Sequence, residues 1–197
     1  QSSAVFRFTI LDLSGPSGIE HIDTAFLQGT SSLLFVIDAQ DQDQLAGALE
    51  MLVSAVVRLF RANPRVLFEI FLHKVDGLSE SHKLELLRDI THKVKVRLEE
   101  RGVGDANTSY YLSSIYDHSV FESMSKVVQK LIPHLATLEG LLDVLVTNCR
   151  MDKAFLFDVF SKICVASDSQ PVDSQSVELM SDVIDVVSDL ASIYEED

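Results

Sequence analysis

An α/β fold is predicted for most of the 197-residue chain by three features. Short, nearly continuous apolar runs alternate with segments of helical period. The apolar runs end in polar loops that carry aspartate, as strands do where a parallel sheet opens to solvent. The order of elements changes near residue 135, from strand–helix alternation to helix, hairpin, helix. Residues 1–134 therefore predict a mostly parallel sheet with helices on both faces, and residues 135–197 a smaller α+β unit.

The first strand is expected over Val5–Leu11, which is rich in aromatic and β-branched residues, and it runs into Asp12-Leu13-Ser14-Gly15-Pro16-Ser17-Gly18. Ser32–Ile37 reads as a strand buried on both faces and ends at Asp38. Leu45, Leu49, Leu52, Val53, Val56, Leu59 and Phe60 follow a helical period, closed by Asn63-Pro64. Val66–Leu72 is the next buried strand and ends at His73-Lys74-Val75-Asp76-Gly77. Ser79 or Ser81 can cap a helix reaching Arg101, with Leu87, Ile90, Val94 and Leu98 inward and Gly102 at its C′ position. Tyr110-Tyr111-Leu112 is a short strand feeding Ser113-Ser114-Ile115, followed by a helix through Val128 and Leu131 that Pro133 stops.

Beyond 135, Leu138, Leu141, Leu142 and Leu145 mark a helix. Ala154–Asp158 and Lys162–Ser167 are close enough for a hairpin. A last helix is expected to turn Val177, Met180, Ile184, Val187 and Ala191 inward.

Composition excludes several classes. The chain holds 30 acidic and 16 basic side chains, a formal net charge of −14, which opposes a phosphate backbone and an electrostatic grip on anionic lipid. The longest apolar run, Leu33–Ile37, is too short to span a bilayer. Two cysteines, Cys149 and Cys164, make no disulfide framework and have no zinc-site spacing. Residues 150–197 carry 3 basic and 11 acidic groups, more than half of the net charge in a quarter of the length.

Three loops hold the candidate chemistry. Asp12-x-x-Gly15 at a strand end can hold Mg2+ through water on its carboxylate and offer a backbone N–H to a terminal phosphate. Alone it is also ordinary turn chemistry. His73-Lys74-Val75-Asp76 lies between a buried strand and a helix, where guanine-nucleotide proteins read Asn-Lys-x-Asp. There the aspartate accepts two hydrogen bonds from the guanine edge and the lysine stem lies along the base. Adenine presents an acceptor at that edge, so a carboxylate rejects it; a polar loop between strand and helix, with Asp76-Gly77 as a turn, is the alternative reading. Ser114-Ile115 ends the next strand, where backbone N–H groups can meet the guanine carbonyl. Asp38, Asp41 and Asp43 also resemble a phospho-acceptor pocket of a receiver domain, against which a solvated loop is the simpler reading.

The order and spacing of the three loops resemble the small GTPase layout. The match narrows in His73-Lys74-Val75-Asp76-Gly77-Leu78-Ser79, Ser114-Ile115-Tyr116-Asp117-His118-Ser119, Val36-Ile37-Asp38-Ala39-Gln40-Asp41 and Lys126–Pro133. Together with Ala154–Val159 and Asp168–Val172, these resemble Rag-type small GTPases of the C/D subclass. The resemblance implies a P-loop GTPase-like domain over 1–134, lacking its N-terminal strand, P-loop and switch I, and a partial roadblock dimerisation domain over 135–197. It implies GTP or GDP with Mg2+ as ligands, held by Asp12, Gly15, His73, Lys74, Asp76, Ser114 and Ile115, with Mg2+ on Asp12 through water. It further implies a heterodimer with an A/B-subclass Rag GTPase, held peripherally by a lipidated scaffold on the cytoplasmic face of the lysosome or vacuole. That pair would relay amino-acid sufficiency to the target-of-rapamycin kinase complex.

Two departures bear on catalysis. No Gly-x-x-x-x-Gly-Lys-[Ser/Thr] occurs. Pro16 stands where many GTPases carry the glutamine that orients water, which opens the alternative of a non-hydrolysing interaction subunit.

Overall fold

The computed structural model describes residues 8–13, 22, 24–172 and 174–194. The chain forms two compact units, 1–116 and 117–197. The helix 119–131 falls within the second unit.

In the first unit a short helix α1 (Thr24–Gly29) precedes β1 (Ser32–Asp38), α2 (Gln42–Ala62), β2 (Leu67–His73), a 3-10 turn (Val75–Gly77), α3 (Glu80–Glu100) and β3 (Asn107–Ser113). The three strands make one parallel sheet in the order β1-β2-β3. Phe68, Ile70 and Leu72 alternate along β2 and are buried, joined in one cluster by Leu52, Val56 and Leu59 of α2 and by Ile90, Val94 and Leu98 of α3. Both helices thus lie on one face of the sheet. Glu69 and Phe71, on the other face, are equally buried, and the Tyr111 hydroxyl donates to Glu69 at 2.8 Å. A strand buried on both faces explains why β2 reads as an unbroken apolar run apart from that glutamate.

The helix ends follow from sequence. The Asp41 side chain caps α2 by accepting from the Gln44 N–H at 3.0 Å, so this member of the acidic loop is a capping residue. Ser79, not Ser81, caps α3. Gly102 takes a left-handed φ of 71° just past Arg101, the C-cap of α3. The strand expected over Val5–Leu11 is not realised in its described part. Phe8–Leu11 belong to no strand, and Ile10 is 83% exposed, because β-propensity alone holds no strand without a packed face. Residues 5–7 lie outside the described residues.

The second unit runs α4 (Ser119–Leu131), α5 (Leu135–Cys149), an antiparallel hairpin of β4 (Phe155–Asp158) and β5 (Ile163–Ser167), and α6 (Ser174–Tyr194). α4 packs on β5 and satisfies the Cys164 backbone with side chains. Ser125 Oγ accepts its N–H at 2.9 Å and Gln129 Nε2 donates to its carbonyl at 2.8 Å. Burial pushes the Cys164 thiol up to about 11, so it is a core residue and not a nucleophile.

Asp168 closes the hairpin. Its carboxylate accepts from the Ala154 N–H at 2.8 Å, the Gln170 N–H at 3.0 Å and Lys153 Nζ at 2.9 Å. The inward face expected for α6 needs correction. Val177, Met180 and Ile184 are half-buried, but Val187 and Ala191 are exposed, and Ser181 is the buried position. This helix is apolar on more than one side, so its period does not select the packed stripe.

Candidate functional site: the loops at the carboxyl ends of the parallel strands

The parallel register puts Asp38, His73 and Ser113 side by side in one row at the carboxyl ends of β1, β2 and β3. Ligand sites of open α/β sheets form in the loops beyond such a row. The first bond past it runs from the Ala39 N–H to the His73 carbonyl at 2.8 Å, and His73 Nδ1 lies 3.0 Å from Ser113 Oγ. His73 therefore ties β2 to β3 at the point where the sheet opens.

Lys74 follows in the left-handed region, with φ 65° and ψ 39°. For a residue with a Cβ this conformation costs about 1 kcal/mol, so its neighbours must hold it. The left-handed step turns the chain into the 3-10 turn, where Val75 is buried and Asp76 exposed. From the adjacent strand end, the buried Ser114 donates its hydroxyl to Asp76 Oδ1 at 2.5 Å and accepts the Tyr116 N–H at 3.1 Å. Asp76 is thus held by one oxygen while its side chain stays open to solvent. A carboxylate so held can accept from two adjacent N–H donors on a planar ligand, such as those on one edge of guanine. Ile115 and Tyr116 are exposed at 67% and 81%, beside that carboxylate's partner.

Two residues that sequence reasoning did not assign to this site belong to it. The Asp38 Oδ2 pairs with Lys74 Nζ at 2.5 Å, and its Oδ1 accepts the Gln40 N–H at 2.9 Å. The lysine bond and the Gln40 N–H hold the Asp38 carboxyl below the usual carboxylate range, and the same pairing raises Lys74 above the usual lysine value. Gln40 Nε2 donates to the Lys74 carbonyl at 2.8 Å. These partners lie 34 to 36 residues apart in sequence, so no local pattern announces them.

The structure therefore brings together His73, Lys74, Asp76 and Ser114, with Ile115 next in chain. Asp12 lies in exposed chain without regular structure. Gly15 and Pro16 lie outside the described residues. A cavity of about 450 Å3 opens elsewhere, between Leu27, Val57, Arg58, Arg61 and Arg101. It sits by the C-terminal ends of α2 and α3, at the opposite end of the strands from the row of Asp38, His73 and Ser113.

The Gtr1/RagA G protein conserved region matches residues 3–184. The chain is 48% identical to the human Ras-related GTP-binding protein C, over 98% of this chain and 49% of that protein. It is 48% identical to the mouse Ras-related GTP-binding protein D, over 98% of this chain and 43% of that one. It is 46% identical to the GTP-binding protein gtr2 of Schizosaccharomyces pombe, over 98% and 62%. The chain thus spans about half the length of the curated relatives it matches. With the family region covering nearly all of it, and Rag C, Rag D and gtr2 among its relatives, the chain belongs to the Gtr1/RagA family of G proteins, on its Rag C/D side.

Proposed function

We propose that this chain is part of a guanine-nucleotide switch of the Rag C/D type, and that the row of loops beyond Asp38, His73 and Ser113 recognises the guanine base. The observation that carries this reading is the Asp76 carboxylate, exposed at a strand end and held by the buried Ser114. Asp76 accepts from the guanine ring N–H and amino group, which adenine does not offer. The Lys74 stem flanks the base, and backbone N–H groups at Ser114-Ile115 meet the guanine carbonyl. Discrimination then rests on paired polar groups, since the wrong base would leave the carboxylate facing an acceptor.

Asp12 and Gly15 are the residues of this chain that would face a terminal phosphate and, through water, Mg2+. When bound, Mg2+ neutralises charge on the phosphates. Pro16 cannot orient an attacking water, so the reading includes slow hydrolysis.

The second unit supports a companion proposal, a partial roadblock domain that pairs with an A/B-subclass Rag GTPase. Leu179, Val183, Val186, Leu190 and Ile193 leave α6 with an exposed apolar face beside its packed one. In this reading the pair sits on the lysosomal or vacuolar surface through a lipidated scaffold and signals to the target-of-rapamycin kinase complex. A subunit that pairs but does not hydrolyse GTP is the second reading, favoured by Pro16 together with that apolar face.

The test is base preference. In a form of the protein that includes a phosphate-binding loop, Asp76→Asn should weaken guanine nucleotide binding and shift preference toward xanthine nucleotides. Competition between GDP and XDP measures this, and an unchanged preference would remove Asp76 from the base site.

A further inference from the structure

We propose that Asp38 and Gln40, at the end of β1, form a brace that positions the Lys74–Gly77 loop for nucleotide retention, acting through the loop and not on the nucleotide itself. The inference rests on the base-recognition reading above and adds two positioning residues to it.

The geometry gives each member a task. Lys74 is the residue that pays for a left-handed turn with a Cβ in place. Its carbonyl is held by Gln40 Nε2 at 2.8 Å and its ammonium by Asp38 at 2.5 Å, so the backbone and the tip of one side chain are fixed from the same neighbouring strand end. Asp38 also accepts the Gln40 N–H at 2.9 Å, which sets where the Gln40 chain departs. One carboxylate therefore orients both halves of the brace. The row of register beneath it keeps the two strand ends level, with Asp38 opposite His73.

Gly77 supplies the space. A Cβ added there would lie 2.7 Å from Gln40 Nε2 and 3.3 Å from its Cδ, so the amide of Gln40 occupies the volume that a larger residue would take. With the brace on the β1 side and Ser114 on the β3 side, Asp76 hangs from a loop restrained at both flanks. The nucleotide then meets a carboxylate already in place, and the loop need not be ordered when it binds.

The experiment uses a form of the protein that includes a phosphate-binding loop, loaded with a fluorescent GDP, and reads the dissociation rate. Gln40→Ala and Asp38→Asn should each release GDP about fivefold faster, the loss expected for one hydrogen bond between loop and scaffold. Gly77→Ala should do the same by displacing the Gln40 amide. In a Gln40→Ala background, however, Gly77→Ala should add little, because the atom it collides with is gone. A merely structural weakening would instead lower the melting temperature and make the two effects additive. Asp76→Asn is measured in parallel. If it shifts preference to xanthine while Gln40→Ala and Asp38→Asn leave GDP release unchanged, or the two alanine effects add, the brace is overturned and base recognition by Asp76 stands. If Asp76→Asn leaves base preference unchanged, the base-recognition reading fails and the brace falls with it.

Discussion

Asp168 has no exposed side-chain surface, and its carboxylate is met by two backbone N–H groups and by Lys153. Burial works against its charge, but hydrogen bonds from the Ala154 N–H, Lys153 and the Gln170 N–H outweigh it, so its pKa lies below the ordinary 3.8. Asp168→Ala leaves those donors without a partner and should cost about 3 kcal/mol, read as a lower denaturation midpoint for the second unit. The pH dependence follows from the sign of the shift. A depressed carboxylate contributes its full stability above 3.8 and loses it as pH falls through the lower folded value. Melting curves from neutral pH down to about pH 3 should therefore show the gap between wild type and Asp168→Asn closing only at the acid end. Lys74 and Asp38 carry opposite shifts at the surface, where solvent screens them, and their value is positional more than energetic.

At the scale of elements, the caps are the most direct test of why the helices stop and start where they do. Ser79→Ala removes the side-chain acceptor for the His82 N–H and should cost about 1 kcal/mol. Gly102→Ala meets open space, so its cost is conformational alone, about 1 kcal/mol for a Cβ at a φ of 71°. Urea denaturation measures both, and a Gly102→Ala protein as stable as wild type would contradict the left-handed cap.

These elements also show what sequence could convey. β2 was legible as a strand buried on two faces, but the similar run in β1 misleads, because Leu34 and Val36 on one of its faces are exposed. β3 is longer than expected, beginning at Asn107, because pairing with β2 recruits Asn107-Thr108-Ser109, which carry no apolar signal. The loops bearing His73–Asp76 and Ser114 were legible from spacing, since both hang from strand ends. Asp38 and Gln40 were not, because their partners come from the next strand. The packed stripe of α6 was misassigned because Val187 and Ile184 look alike to any periodic reading, and only the packing around Ser181 chooses between the two sides.

For the whole molecule, the testable consequence is assembly. α6 is tied within its unit by the Lys162–Asp185 ion pair at 2.7 Å, and His118 lies 3.6 to 3.7 Å from Asp182 and Glu178. These contacts leave its outer face of leucine, valine and isoleucine in solvent. A two-stranded hairpin needs a packed helix or further strands to be stable in water, and among the described residues β4 and β5 form such a sheet with α4 packed on β5. Mixing the protein with an A/B-subclass Rag partner should raise the mass seen by light scattering to that of a heterodimer and slow amide exchange in 174–194 and in β4–β5. Exchange already slow in the unmixed protein, with no change of mass, would count against the companion proposal.

The register of the parallel sheet has one more consequence. The same alternation that buries Phe68, Ile70 and Leu72 against α2 and α3 sets His73 level with Asp38 and Ser113. A slip of β2 by one residue would turn those three core side chains to the opposite face and at the same time carry Lys74 away from Asp38. The hydrophobic core thus acts as a proofreader for the loops beyond that row. A chain whose core has packed in this register has, by that fact, already aligned the loops beyond Asp38, His73 and Ser113, before any ligand arrives.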